Sequence, residues 1–270
     1  MAFWIELLIA GVVSGLVIGL VALAITLVFG IARCPNAATG DTMTLGAYGA
    51  LAGHAATGSL LLGGALGALG GAAAGLAAYA LVFRRLSGRS TVALLVASIG
   101  LGFMLRAGLA LAFGHMQQVF QVPLARPWRI EGVRIHPNDL RLAATAAFAL
   151  AVVFATLYLT PIGRRMRAVA DDPSLARVCG ISPVRVMVAL WLLAGAVAGV
   201  AGVILGIRTV VSPEIGWDML LPGFAAAILG GETLSVTFRY LLSPSDDEPH
   251  LHPIAGFARG SRWLTLPRCP

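Results

Sequence analysis

Five apolar runs, at roughly residues 3–32, 59–83, 92–114, 141–160 and 185–211, each hold about the 20 residues that a bilayer crossing needs. Backbone polar groups meet no water at that depth, so each run has to close its own hydrogen bonds as a helix. The fold class that follows is all-α, a polytopic transmembrane helix bundle. Two shorter apolar segments, 42–57 and 218–231, bring the expected total to about six membrane segments. Composition agrees: the chain is 58% hydrophobic and 11% charged, where a soluble domain is nearer 45–50% and about 25%.

The charge distribution excludes a nucleic-acid partner and points to a lipid bilayer. The net charge is +7 and all 19 basic residues are arginine, but they cluster in the loops between apolar runs, as the positive-inside rule expects. Arg84, Arg85 and Arg89 mark one short loop; Arg164, Arg165, Arg167, Arg177 and Arg185 mark another. Two spans separate these loops, so parity places both in the cytosol and residues 115–141 outside. Glu6 alone does not fix the side of the N-terminus. The first run lacks a basic leader and a small-residue cleavage site and is too long for a signal peptide, so it reads as a retained span.

Chemistry-bearing patterns are sparse. Cys34, Cys179 and Cys269 are too widely spaced for a metal or disulfide framework. HExxH, P-loop and G-x-S-x-G patterns are all missing, so no catalytic residue and no metal ligand is assigned, and the chain has no visible means of using ATP itself. His250 and His252 sit in a Pro- and Asp-rich tail and read as solvated.

Between two of the apolar runs lies a polar island, 161–183, with unusually ordered punctuation. Thr160-Pro161 and Asp172-Pro173 each read as a helix cap followed by proline at the first helical position. Gly180 is placed to end the second short helix in a left-handed conformation, and Ser182-Pro183 caps the next span in the same manner. One reading is a solvated basic linker; the sharper one is a cytosolic docking element for a partner.

A second interruption, 33–41 (RCPNAATGD), breaks an apolar stretch near the N-terminus. Such residues are tolerated at membrane depth only where they are buried in protein or line a water-filled path, and broken helices build many transporter binding sites. An ordinary exposed turn is the alternative. Arg106 lies inside the third long run, where a charge is costly and usually faces a cavity or a partner, or else snorkels toward the interface. Glu214 and Asp218 read as interface residues with a structural role. Two ladders of small residues, Gly11/Gly15/Gly19 and Gly63/Gly67/Gly71/Gly75, have the four-residue spacing of helix-packing seams.

With these residues laid out, the chain resembles the permease subunits of branched-chain amino-acid ABC importers. The matching stretches are 24–31 with Asn36 and Gly40, 95–106 (LVASIGLGFMLR), 163–181 (GRRMRAVADDPSLARVCGI), 199–206 and 212–231. The resemblance covers about 1–231, taken as the transmembrane permease domain. It implies a multi-pass protein of the bacterial inner membrane that works by alternating access. It also implies three kinds of partner: ABC ATPase subunits that bind the ATP, a second homologous or identical permease subunit, and an extracytoplasmic solute-binding protein. No cofactor is implied for this chain itself. In the family the island is a coupling helix seated in the ATPase. Carried over, Asp171, Asp172 and Pro173 open that helix, Leu175, Ala176 and Val178 supply apolar contacts, and Gly180 ends it. Substrate-path candidates are Asn36, Gly40, Asp41 and Arg106.

The sequence departs from the family twice. Residues 36–41 replace a stretch where relatives tend to carry an aromatic and a histidine, which leaves the substrate open among branched-chain amino acids, other amino acids, urea and short amides. After Gly231 the sequence turns polar and proline-punctuated. Residues 232–270 are therefore expected to be an aqueous, disordered tail outside the family, from a truncated or frameshifted reading frame or as a genuine regulatory extension. An ATP-independent carrier or channel, and a non-transporting truncated scaffold, remain the alternatives to an importer subunit.

Overall fold

The computed structural model describes residues 2–32, 34–86, 88–120, 128–130, 133–135 and 137–242. The helices are α1 (Ala2–Ala32), α2 (Thr39–Thr57), α3 (Leu60–Ala78), α4 (Arg84–Leu86), α5 (Thr91–Phe113), α6 (Pro137–Leu159), α7 (Pro161–Asp171), α8 (Pro173–Val178), α9 (Pro183–Arg208) and α10 (Ile215–Leu242). A π-helical turn, Tyr79–Phe83, joins α3 to α4, so that Leu60–Leu86 forms one long rod. Two three-residue strands, β1 (Trp128–Ile130) and β2 (Val133–Ile135), form an antiparallel hairpin with Arg129 opposite Arg134. Five helical stretches have membrane length and apolarity: Glu6–Ala32, Leu60–Leu86, Thr91–Phe113, Pro137–Leu159 and Pro183–Arg208. They coincide with the five apolar runs. The protein is an all-α, multi-pass membrane bundle.

Helix α9 is the hub. In its most apolar stretch 67% of residues are buried, against 17% for α5 and for α6, so the last two lie at the periphery. The contact of α9 with α2 and α3 is built on glycine. Gly46 of α2 lies on the backbone of Gly199, Gly71 of α3 on Gly195 and Gly199, Gly75 on the Trp191 carbonyl, and Gly202 on the Met43 carbonyl. A side chain at any of these positions would collide with backbone. Because lipid competes with protein for apolar surface, close backbone approach is what favours helix association here. The α3 ladder is therefore a packing seam, as its spacing predicts. The α1 ladder meets none of the described residues: Gly11, Gly15 and Gly19 have open space around them. Spacing alone cannot tell a packed face from a lipid-facing one.

Contacts also fix which loops share an end of the bundle. Phe83 and Tyr79, at the end of the α3 rod, meet Trp191 near the start of α9, with ring centroids 4.5 and 6.1 Å apart. The Arg84–Arg89 loop and the island 161–183 therefore lie at one end. At the other, Gln118 after α5 pairs through its backbone with Val211 after α9. There Arg208 donates to Ser14 Oγ at 2.7 Å, reaches the Ala10 carbonyl, and approaches Asp139 at 4.0 Å. The first turns of α1 thus sit at the end away from the island. The positive-inside rule makes the island end cytosolic.

The second partial segment opens α10 (Ile215–Leu242), whose apolar part, Ile215–Gly230, is shorter than a membrane crossing. Residues 232–242 (ETLSVTFRYLL) contain no proline or glycine, and the first proline beyond Pro222 is Pro244, so nothing in them stops a helix. By backbone contacts the chain divides into 1–231 and 232–270. The rest of the expected disordered tail, 243–270, lies outside the described residues.

Candidate functional site

Helix α1 ends where Pro35 removes a backbone donor, and the chain turns back into the bundle before α2 starts. Residues 36–44 are buried throughout, so this break is internal and the exposed-turn alternative fails. Polar groups in the break are met partly within the segment and partly by α5 and α10, as burial demands. Asn36 Oδ1 accepts from the Ala38 amide at 3.1 Å, and Ser98 Oγ of α5 accepts from the Ala37 amide at 3.1 Å. Thr39 donates to the Asn36 carbonyl and Thr42 to the Thr39 carbonyl. Thr44 Oγ1 donates to the Gly40 carbonyl and accepts from the Gly216 amide at 3.1 Å, which ties the start of α10 to α2. Asn36, Thr39 and Thr42 line, with Trp191 and Gly195, a cavity of about 10 Å³, close to the room one water needs.

Beside this break the structure brings together two residues 65 positions apart. Arg106 of α5 turns inward, not toward the interface, and donates through Nη2 and Nε to Asp41 Oδ1 at 3.1 and 3.3 Å. The side chain of Asp41 is 1% exposed and that of Arg106 is 17% exposed. The guanidinium also lies over the Trp217 ring, 4.9 Å from its centroid, and over Phe103 at 5.5 Å, favourable placements against aromatic faces. Asp41 Oδ2 accepts no hydrogen bond from the described residues. It points at Gly102, where any Cβ would collide with it.

Of the four substrate-path candidates, then, Asp41 and Arg106 form one unit. Asn36 shapes the turn, and Gly40 permits the backbone of Gly216 to approach. Sequence reasoning missed Gly102, Phe103, Trp217 and Ser98. Gly102 lies four residues before Arg106, one turn away on the same face, and that spacing was the available signal. Nothing in the sequence pairs Trp217 with Arg106. Glu214 and Asp218 are exposed.

The island is a second candidate site. Thr160 Oγ1 accepts from the Gly163 amide at 3.4 Å and caps α7 ahead of Pro161. Gly163, Met166 and Val169 are buried while Arg164, Arg165 and Arg167 stay outside, so α7 lies with one apolar stripe on the bundle. Asp172 ends α7 and caps α8: its Oδ1 accepts from the Ser174 amide at 2.7 Å, the Ser174 hydroxyl at 2.6 Å and the Leu175 amide at 3.1 Å. These donors, the Ser174 hydroxyl first, hold the Asp172 carboxyl below its ordinary range. Helix α8 closes with a Schellman motif. The Ile181 amide donates to the Ala176 carbonyl at 2.9 Å, the Gly180 amide donates to the Arg177 carbonyl at 3.0 Å, and Gly180 has φ +79°.

Two details differ from expectation. Ser182 has the extended conformation of a cap before Pro183, but its side chain makes no capping hydrogen bond. Ala176, expected among the apolar contacts, is buried in the chain's own core. Leu175 and Val178 are 60% and 85% exposed and, three residues apart, share a face. Asp171 is exposed beside them.

A multi-pass helical bundle with a buried helix break and a capped, arginine-flanked island at one end has the build of an ABC-importer permease subunit. Residues 7–239 match the family described as the branched-chain amino acid transport system / permease component, and the chain belongs to that family. The match extends eight residues past the boundary expected at 231. The chain is 28% identical over 247 residues to the high-affinity branched-chain amino acid transport system permease protein LivH of Escherichia coli, covering 85% of this chain and 79% of that protein. It is 24% identical over 245 residues to the corresponding permease protein BraD of Pseudomonas aeruginosa, covering 84% and 79%. A shorter match, 36% over 94 residues, covers 34% of this chain and 29% of the ribose import permease protein RbsC of Bacillus subtilis. No significant match to a solved structure was found. Membership implies an inner-membrane permease subunit associated with an ATPase and a solute-binding protein.

Proposed function

We propose that this chain carries branched-chain or closely related amino acids inward by alternating access, driven by an ATPase seated on α8. The observation that carries the reading is the exposed Leu175–Val178 pair, presented on a short helix capped at both ends and placed at the arginine-rich end of the bundle. A free linker would gain nothing from such rigidity. Asp171, Asp172 and Pro173 set the start of the docking helix, Leu175 and Val178 fill an apolar groove, and Gly180 sets its end. ATP is held by the partner, and this chain needs no cofactor of its own. A second permease subunit completes the translocation path. The amino-acid substrate is favoured because the relatives that match across the whole membrane region carry branched-chain amino acids in their names, whereas the ribose permease matches about a third of the chain.

The test is co-purification with the cognate ATPase. Leu175→Asp and Val178→Asp each put a charge at a packed groove, where desolvation opposes binding. Both variants are expected to reach the membrane in parental amounts and to lose the ATPase. Retention of the ATPase by both would show that α8 is not the coupling element, whereas a parent that holds no ATPase at all would point to an ATP-independent carrier.

A further inference from the structure

Within the importer reading, on which this inference rests, we propose that Asp41 and Arg106 are the two halves of a binding site for a zwitterionic α-amino acid, held closed on each other while the site is empty. The ligand ammonium binds Asp41 and its carboxylate binds Arg106.

The pair is a poor structural element as it stands. Burying an ion pair gains little unless the remaining lone pairs and protons are also satisfied. Among the described residues, Asp41 is buried with Oδ2 unpartnered, and Arg106 uses Nε and Nη2 on a single oxygen out of five N–H donors. The unused acceptor on one side and unused donors on the other are what an amino acid's backbone supplies. Trp217 and Phe103, which flank the guanidinium, are 39% and 55% exposed and offer apolar surface to an aliphatic side chain next to the charged groups.

The site is shut by α5. Asp41 Oδ2 lies against Gly102, where a Cβ would press on it. That helix is also peripheral, with 17% of its apolar stretch buried. A small outward displacement of α5 parts Arg106 from Asp41 and uncovers both charges on facing surfaces. Parting them without a ligand leaves two uncompensated charges at bilayer depth, which is costly. A zwitterion restores both partners and keeps the site neutral. A ligand with one charge leaves the other half unpaired, and a sugar or nucleoside supplies neither.

A structural pair and a binding pair respond differently to joint neutralisation. Replacing a buried pair by neutral groups is often harmless to folding, whereas removing one partner is not. The double variant Asp41→Asn/Arg106→Gln is therefore expected to assemble with the ATPase yet to import leucine at least tenfold more slowly than the parent, with the cognate ATPase and solute-binding protein supplied. Leucine import within tenfold of the parent would overturn the proposal. A second measurement does not depend on that variant. A ligand that binds only the folded state raises the melting temperature. Leucine is expected to raise the Tm of the purified parent, while N-acetyl-leucine, leucinamide, ribose and uridine at equal concentration do not. No shift with leucine, or an equal shift with any of the other four, sinks the assignment. Loss of the ATPase on purification of the parent would count against the importer reading, while the melting experiment still judges the site.

Discussion

Two polar interruptions divide the apolar runs, one at 33–44 and one at 161–183, and the bundle treats them in opposite ways. The first is swallowed: its threonines, Asn36 and Asp41 are buried, and its hydrogen bonds are closed by α5 and α10. The second is displayed: Asp172, Leu175, Arg177 and Val178 face outward, and its hydrogen bonds are closed within its own turns. Each contains an aspartate in the opening turn of a helix. Asp41 depends on a partner 65 residues away, and Asp172 on residues two and three positions on. A polar segment in a membrane chain thus carries its stability locally where water can reach it and through tertiary contacts where water cannot.

The largest break in that contrast is expected from removing arginine. Arg106→Ala leaves Asp41 buried and unpaired, a loss of about 3–5 kcal/mol, read as a fall in folded protein on thermal or denaturant unfolding in detergent. Arg164→Ala in the island, a solvent-facing position, is expected to stay within about 0.5 kcal/mol. Comparable losses at both sites would erase the distinction between swallowed and displayed charge.

A glycine pair sharpens the same point at intermediate size. Gly102→Val overpacks the site by pressing on the Asp41 carboxylate and is expected to cost about 1–3 kcal/mol. Gly180→Val, in a left-handed conformation with open space around it, is expected to cost about 1–2 kcal/mol from backbone strain alone. The causes separate on a second substitution: Asp41→Ala relieves the first and leaves the second untouched. Equal relief, or none, would mean that collision is not the source at Gly102.

The smallest effect concerns acid. The folded Asp172 carboxyl titrates below its ordinary range, so the ionised form is the one that folding favours. Its contribution is complete above the unfolded value, about 3.9, and is lost as pH falls through the lower folded value. Protection of the Ser174 and Leu175 amides against hydrogen exchange is therefore expected to hold down to about pH 4 and to fall below it, with Asp172→Asn flattening the change. Protection lost already near neutrality would show that this cap does not rest on the carboxylate.

Much of this contrast was legible before any coordinates. Run lengths set the five spans, and cap-plus-proline spacing at Thr160-Pro161 and Asp172-Pro173 located the starts of α7 and α8 to the residue, because capping is decided by neighbours in sequence. What stayed hidden depends on distant partners. The break at 36–41 was visible, but its burial needed α5 and α10 to close over it. Asp41 and Arg106 were each singled out, yet only the packing of α2 against α5 joins them. The glycines of α1 and α3 have the same spacing, and only α9 distinguishes them. Ala176 has the same apolar character as Leu175 and Val178, and helix phase alone turned it inward.

Helix phase also gives the π turn at Tyr79–Phe83 its meaning. Residues four apart overshoot a full α-helical turn by about 40°, so a four-residue stripe creeps around its rod like the thread of a screw. The stripe shows this creep: Gly63 lies against Ala50 and His54 of α2, whereas Gly71 and Gly75 lie against α9, and eight further α-helical residues would carry it about 80° past Gly75 by Phe83. A π turn closes from i to i+5 and winds less per residue, which takes back part of that creep. Gly75 lies on the Trp191 carbonyl and Phe83, eight residues later, still meets the Trp191 ring at 4.5 Å. One slow turn thus acts as a vernier: it keeps a drifting stripe in register with Trp191 to the end of the rod.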